Sequence, residues 1–224
     1  MSKVAVDFGG SASPYERALD GLSDGPLRLL PVRDPGSDDG AVVLQVDRFL
    51  CAADAVDRSA LARTQGPVLD VGCGPGRMVR AALLAGRPAL GVDVSAAAVR
   101  RATATGLPVL HRSVFDALPR EGGWGAVLLL DGNIGIGGDP IRLLLRCAAL
   151  MAAEGSLLAE CHPQAQVDRR FQATVVDVTG RASRPFGWAE VGAGRLAQLA
   201  RGAGLTLEAS WRSGGRCFAA FARR

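Results

Sequence analysis

From position 67 onward, short apolar runs alternate with longer stretches whose apolar residues recur at helical spacing. Val68, Leu69 and Val71 make a first strand, the stretch from Arg77 has helical composition and stops at Gly86, and Ala89 to Val92 make a second strand. Ser95 opens a helix as its cap, Gly106 closes it, and Leu107 to Arg112 form a third strand carrying His111, read as a structural histidine. The fourth strand, Gly125 to Leu130, is almost wholly apolar, as expected of a central parallel strand covered on both faces. Asp139 and Pro140 start the next helix, which is expected to lead through Gly155 to a fifth strand over Ser156 to Cys161. After Pro163 a more polar line holds two strand-like pieces around a turn at Thr179 and Gly180, then a helix over 192–204 and two strands joined at Gly214 and Gly215. Strands alternating with helices predict an α/β fold with a doubly wound, mostly parallel sheet and helices on both faces.

The first 66 residues are patterned less regularly and read as a cap segment with a lead-in helix. A short helix is expected over Pro14 to Gly21, two short apolar runs over Pro26 to Val32 and Val42 to Val46, and a turn or disorder in the Asp-, Gly- and Pro-rich stretch 33–40 between them. From Asp47 apolar residues at helical spacing, including Phe49, Leu50, Ala53, Val56 and Leu61, predict one helix packing beside the first strand.

The chemistry-bearing residues cluster at the carboxyl ends of the strands. Gly72, Gly74 and Gly76 lie between the first strand and a helix N-terminus, where the backbone must turn sharply and a ligand can approach closely. Asp70 sits inside that strand, where an acid is poorly suited to packing unless it bonds something. Asp93 ends the second strand 17 residues after Gly76, where a carboxylate can accept both hydroxyls of a ribose. Asp131 ends the fourth strand, and the segment after it contains Gly132, Asn133, Gly135, Gly137 and Gly138, a loop expected to lie directly against cofactor or substrate.

VLDVGCGPGR followed by GVDVS resembles the first two motifs of the class I S-adenosylmethionine-dependent methyltransferases; SVFDALP at 113–119 is similar to the third-strand motif and WGAVLLLD at 124–131 to the fourth. The resemblance covers about residues 67–161 and, as a set, these motifs are highly specific. It implies a seven-stranded sheet of order 3-2-1-4-5-7-6 with the last strand antiparallel, matched by the closing pair of strands. It implies S-adenosylmethionine as cofactor and S-adenosylhomocysteine as product. It further implies that Asp70 helps hold the methionine amino group, that Gly72, Gly74 and Gly76 pass under the methionine and ribose, and that Asp93 takes the ribose hydroxyls. Val94 would lie against the adenine, Phe115 and Asp116 at its far edge, and Asp131 would border the cofactor. In this family the segment before the first strand commonly covers the methyl-transfer site, which makes Tyr15, the only tyrosine, a candidate for the acceptor side. Substrate-covering elements are also inserted where 164–191 lies, making Phe171, Phe186 and Trp188 candidate walls, with Asn133 beside them.

The acceptor is read as a small organic molecule and its nucleophile as a hydroxyl oxygen, ahead of amine nitrogen or activated carbon. His162, at the carboxyl end of the fifth strand, is the candidate general base, since an unperturbed imidazole pKa of about 6.5 suits proton removal near neutrality; Asp131 is the second candidate catalytic residue. DGNIG lacks the Asn or Asp followed by two prolines and an aromatic seen in adenine- and glutamine-amino methyltransferases, which argues against nucleobase-amine and amide substrates. A non-catalytic cofactor-binding sensor and an RNA or protein methyltransferase are the alternatives.

Composition narrows this only slightly. The 224 residues carry a net charge of +4, but the basic residues are almost all arginine and scattered, which argues against a nucleic-acid partner. Five widely spaced cysteines without a CxxC pair argue against a disulfide framework or a zinc site. No stretch approaches the ~18 apolar residues of a membrane span and no signal-peptide core opens the chain, so a cytoplasmic protein is expected.

Overall fold

The computed structural model describes residues 13–23, 25–32 and 41–223; the expected loop over 33–40 and the chain start lie outside the described residues. In chain order the elements are α1 (Pro14–Leu19), β1 (Leu27–Pro31), β2 (Val42–Leu44), α2 (Val46–Leu50), α3 (Ala55–Leu61), β3 (Val68–Val71), α4 (Arg77–Leu84), β4 (Ala89–Asp93), α5 (Ala96–Ala104) and β5 (Val109–His111). There follow β6 (Trp124–Leu129), a 3-10 segment (Asn133–Gly138), α6 (Pro140–Leu150), β7 (Met151–Cys161), β8 (Asp168–Val176), β9 (Phe186–Val191), α7 (Ala193–Gly202), β10 (Leu205–Ser213) and β11 (Arg216–Arg223).

Seven strands form the main sheet in the order β10-β11-β7-β6-β3-β4-β5. Counted within this sheet alone, and from its other edge, that is 3-2-1-4-5-7-6; the whole-chain numbering differs because four strands lie elsewhere. β11 runs antiparallel to both β7 and β10, and the other pairings are parallel. Val127, Leu128 and Leu129 of β6 are fully buried, as a central strand covered on both sides requires.

The remaining strands make a four-stranded antiparallel sheet, β2-β1-β8-β9. The early apolar runs and the late insertion are therefore one structure, joined where β1 pairs with β8 (Leu29 opposite Val175). Tyr15, Leu19, Leu27, Leu29, Val175 and Trp188 share a core with Ala97 and Ala98 of α5, which seats this smaller sheet and α1 on the main domain. Glu16 of α1 strengthens the seat: its carboxylate accepts from the Ser95 hydroxyl at 2.7 Å and from the Ala97 amide at 3.2 Å, at the positive end of α5.

Two sequence expectations are corrected. The single helix expected from Asp47 is two, because Cys51 is extended and the Asp54 carboxylate accepts from the Asp57 amide at 2.7 Å, restarting the helix as an N-cap. Residues 151–155, expected to be helical, already belong to β7: Met151 pairs with Trp124, and the register slips before Ser156 meets Ala126. Ala and Glu favour helix there, but the edge of β6 offers backbone partners that propensity does not see.

Candidate functional site

A cavity of about 1060 Å³, its open mouth included, lies between the carboxyl ends of β3, β4 and β6 and residues of α1, α2, β2 and β9. Its place, outside the carboxyl ends of neighbouring parallel strands, is where open α/β sheets bind their ligands.

Its floor is made by the first two strands and the turn after β3. Asp70 is 3% exposed, lines the cavity, and makes no side-chain hydrogen bond among the described residues. Burial, with the Asp131 and Asp93 charges adding to it, pushes its carboxyl pKa to about 8. Gly72 and Gly74 hold φ of +68° and +54°. The Gly74 amide donates to Asp93 Oδ2 and the Ser95 amide to Asp93 Oδ1, each at 2.7 Å, which locks the second acid against the glycine turn and leaves further lone pairs on both oxygens. Burial pushes the Asp93 carboxyl above its ordinary value, against the pull of these amides. Asn133 reaches back from the 3-10 segment, its Nδ2 donating to the carbonyls of Val71 and Gly72 at 2.9 Å each; a Cβ on Gly72 would lie 2.7 Å from that nitrogen.

The opposite wall is aromatic. Tyr15, Phe49, Phe186 and Trp188 line the cavity together with Leu44 and Ile136. Phe186 and Trp188 meet edge to face with ring centroids 6.1 Å apart, and a Cβ on Gly74 would come within 3.4 Å of the Tyr15 hydroxyl. Burial, with Asp93 next, drives the Tyr15 hydroxyl well above its ordinary pKa.

Beside the cavity three arginines and three carboxylates interlock. Arg48 donates to Asp131 at 2.7 Å and to Asp57 at 3.0 Å, and Arg77 donates to both Asp57 and Asp131. Arg216 donates to Asp57 at 2.6 Å and with two nitrogens to Glu160, whose Oε2 also accepts the Asp131 amide at 2.7 Å. The cluster ties α2 and α3 to the first residue of α4, the end of β6, β7 and β11. Asp131, held at φ +53°, has both carboxylate oxygens engaged by arginine.

The cavity brings together Tyr15, Asp70, Gly72, Gly74, Asp93, Val94, Asp131, Asn133, Phe186 and Trp188. Five expected residues are not among those lining it. Gly76 serves packing, since a Cβ there would lie 2.7 Å from Leu107 Cδ1. Phe115 turns away under the Arg142 guanidinium, 4.1 Å from its ring centroid, and exposed Asp116 accepts from the Ser113 amide; Arg112, Ser113 and Val114 line the wall in their place, a slip of the kind a short strand running into a turn produces. Phe171 stands opposite Trp188 across β8 and β9 but packs within the core of the smaller sheet. His162 bridges to Gly192 through its backbone, and its Nδ1 accepts from the Gln164 amide at 3.1 Å, so the candidate base points to the next turn of its own loop. Asp131, the second candidate catalytic residue, lines the cavity with its carboxylate paired to Arg48, Arg77 and Arg216. The glycine-rich segment also meets something other than a ligand: a Cβ on Gly135 would lie 2.4 Å from the Ala189 carbonyl oxygen, so that glycine admits the backbone of β9.

Sequence reasoning passed over the arginines. Arg77 carried a signal, since a cation in the first residue of a helix opposes the helix dipole unless carboxylates compensate it. Arg48 and Arg216 carried none, being brought to Asp57 only by folding.

A family model described as a methyltransferase domain matches residues 43–210. No curated protein matches the chain by sequence. Among solved structures, a SAM-dependent methyltransferase from Bacteroides fragilis, in complex with S-adenosyl-L-homocysteine, superposes with a TM-score of 0.74 at 18% identity, over 98% of this chain and 96% of that one. The 1,6-didemethyltoxoflavin-N1-methyltransferase of Burkholderia thailandensis gives a TM-score of 0.57 at 19% identity over 88% of this chain and 95% of that one. A sugar N-methyltransferase from Streptoalloteichus sp. gives 0.55 at 19% over 87% and 99%. With the family model covering most of its length and the strand order of its main sheet that of the fold, the chain belongs to the class I methyltransferase family.

Proposed function

We propose that the protein is a S-adenosylmethionine-dependent methyltransferase acting on a small organic acceptor in the cytoplasm, with S-adenosylhomocysteine as its product. The observation that carries this reading is Asp70, a buried carboxyl with no side-chain hydrogen-bond partner among the described residues that opens only onto the cavity. An ammonium group is the partner such a site lacks, and the amino group of the methionine moiety supplies one. Asp93, braced on two amides, presents its remaining lone pairs to a diol, and the side-chain-free edge of Gly72 and Gly74 lets a ligand lie against backbone. Val94 and Val114 offer apolar faces for a purine ring.

When bound, the cofactor supplies an electrophilic methyl group on a sulfonium. The chain's own part is positional: Asp70, Asp93 and the glycine turn fix one reactant, the aromatic wall confines the other, and the smaller sheet excludes water. Holding reactants in line is worth up to ~7–11 kcal/mol of barrier. The cap segment up to residue 66 and the insertion over 164–191 act together as the acceptor cover, since β1 and β8 are paired. The solved neighbours that methylate toxoflavin precursors and sugars support a small-molecule acceptor. A hydroxyl acceptor, the first choice from sequence, needs a base, and its standing turns on the proton acceptors of the cavity.

The test is calorimetric titration of S-adenosylhomocysteine into the purified, cofactor-free protein and into Asp93→Ala, with NAD as control. Binding that weakens in the variant supports the reading. No binding to the folded wild type overturns it.

A further inference from the structure

We propose that the acceptor is an amine carried on an apolar, ring-bearing frame, which attacks as the free base, and not an aliphatic alcohol. This rests on the methyltransferase reading above and concerns the other half of the same cavity.

An amine and an alcohol differ in what happens to their proton. An amine lone pair that attacks the methyl carbon breaks the carbon–sulfur bond, the bonding pair goes to sulfur, and the positive charge moves from sulfur to a stable alkylammonium; its proton leaves later, to water. An alcohol doing the same would become a protonated ether, a strong acid, so a base must take the proton as the bond forms.

The cavity holds no such base among the described residues. The chain has two histidines, and both are elsewhere: His111 is exposed, its Nε2 2.9 Å from the Val94 carbonyl, and the His162 Nδ1 is taken by the Gln164 amide. Three carboxylates line the space. Asp131 is ion-paired to Arg48, Arg77 and Arg216, Asp93 is braced beneath the glycine turn, and Asp70 faces the ammonium site. Tyr15, Cys73, Arg77 and Arg112 complete the titratable lining; a buried phenol and a buried thiol whose pKa values are raised keep their protons, and the arginines are cations.

The rest of the lining fits an amine in a second way. During transfer a positive charge passes from the sulfonium to the acceptor atom, and the rings of Tyr15, Phe49, Phe186 and Trp188 that line the cavity are of the kind that attracts a cation. Leu44 and Ile136 add apolar surface, which selects a ring-bearing frame.

The experiment uses matched pairs that differ only in the acceptor atom, one- and two-ring primary or secondary amines such as benzylamine against their alcohols such as benzyl alcohol. Binding to the S-adenosylhomocysteine-loaded protein is followed by calorimetry and by Trp188 fluorescence, with a Trp188→Phe control, and turnover is followed by S-adenosylhomocysteine release. The amines are expected to bind and turn over, the alcohols to stay at the buffer rate. The rising limb of kcat/KM against pH should move with the pKa of the amine used and be unchanged in His162→Ala. Alcohol turnover equal to that of its paired amine, a pH limb that stays put as the acceptor changes, or a loaded protein that binds no amine of the panel would each overturn the proposal. Failure to bind S-adenosylhomocysteine at all would instead sink the methyltransferase reading.

Discussion

The Arg216 guanidinium donates to the Asp57 carboxylate at 2.6 Å across 159 positions of sequence, joining the start of the last strand to a helix that precedes the first strand of the main sheet. Asp57 is 1% exposed and also receives Arg48 and Arg77, so removing one cation leaves buried negative charge uncompensated. Arg216→Met is expected to cost about 3–5 kcal/mol, read as a lower urea midpoint with an unchanged m-value. A loss under 1 kcal/mol would show that the cluster is solvated and dispensable.

Asp70 predicts a pH dependence. Its folded-state pKa of about 8 lies above the ordinary 3.8, so between those values the folded protein binds more protons than the unfolded chain and its stability falls as pH rises. Asp70→Asn removes this slope: the melting-temperature advantage of the ligand-free variant over wild type should widen from pH 4 to pH 8 and then level off. A constant difference across that range would contradict the assignment.

The same group predicts proton release on ligand binding. At pH 7 a carboxyl of pKa about 8 is mostly protonated, and pairing with an ammonium ionises it. Calorimetry of S-adenosylhomocysteine in buffers of different ionisation enthalpy should show release of up to about one proton per site in wild type and none in Asp70→Asn. The variant should also bind more weakly by about 1.5–3 kcal/mol, the range for a charge-assisted hydrogen bond.

Asp93→Ala should lower S-adenosylhomocysteine affinity by about 2 kcal/mol or more through loss of the ribose contacts. Because Asp93 also braces the Gly74 and Ser95 amides, Asp93→Asn separates the two roles. Its amide oxygen can keep one brace while its nitrogen faces the other donor, so a binding loss with a smaller melting-temperature loss than in Asp93→Ala is the expected outcome.

Two glycines make a matched pair for packing. Gly135→Ala puts a methyl 2.4 Å from the Ala189 carbonyl oxygen, so β9 must move and carry Phe186 and Trp188 with it. Gly86→Ala meets nothing within 4 Å and bears only the cost of φ +73°, roughly 1 kcal/mol. The first variant should raise the acceptor KM as well as lower stability, and the second should lower stability alone.

What the sequence determined by itself was whatever depends on neighbours in the chain. The glycines at 72 and 74, the acids at 70 and 93, the Ser95 and Asp139 caps and the Gly214–Gly215 turn are local demands of backbone conformation, so the main sheet and the floor of the cavity were legible from them. Tertiary structure alone decided the rest. Pairing of β1 with β8 merges two segments more than a hundred positions apart into one cover, and the backbone hydrogen bonds that do so carry no side-chain signature. Arg48, Arg77 and Arg216 look like scattered surface charge until folding brings three acids to them, Asp131 of the cavity wall among them. The direction of one side chain is decided in the same way: His162 stands at the right end of the right strand, but the nearby Gln164 amide and the bridge to Gly192 hold it in its own loop.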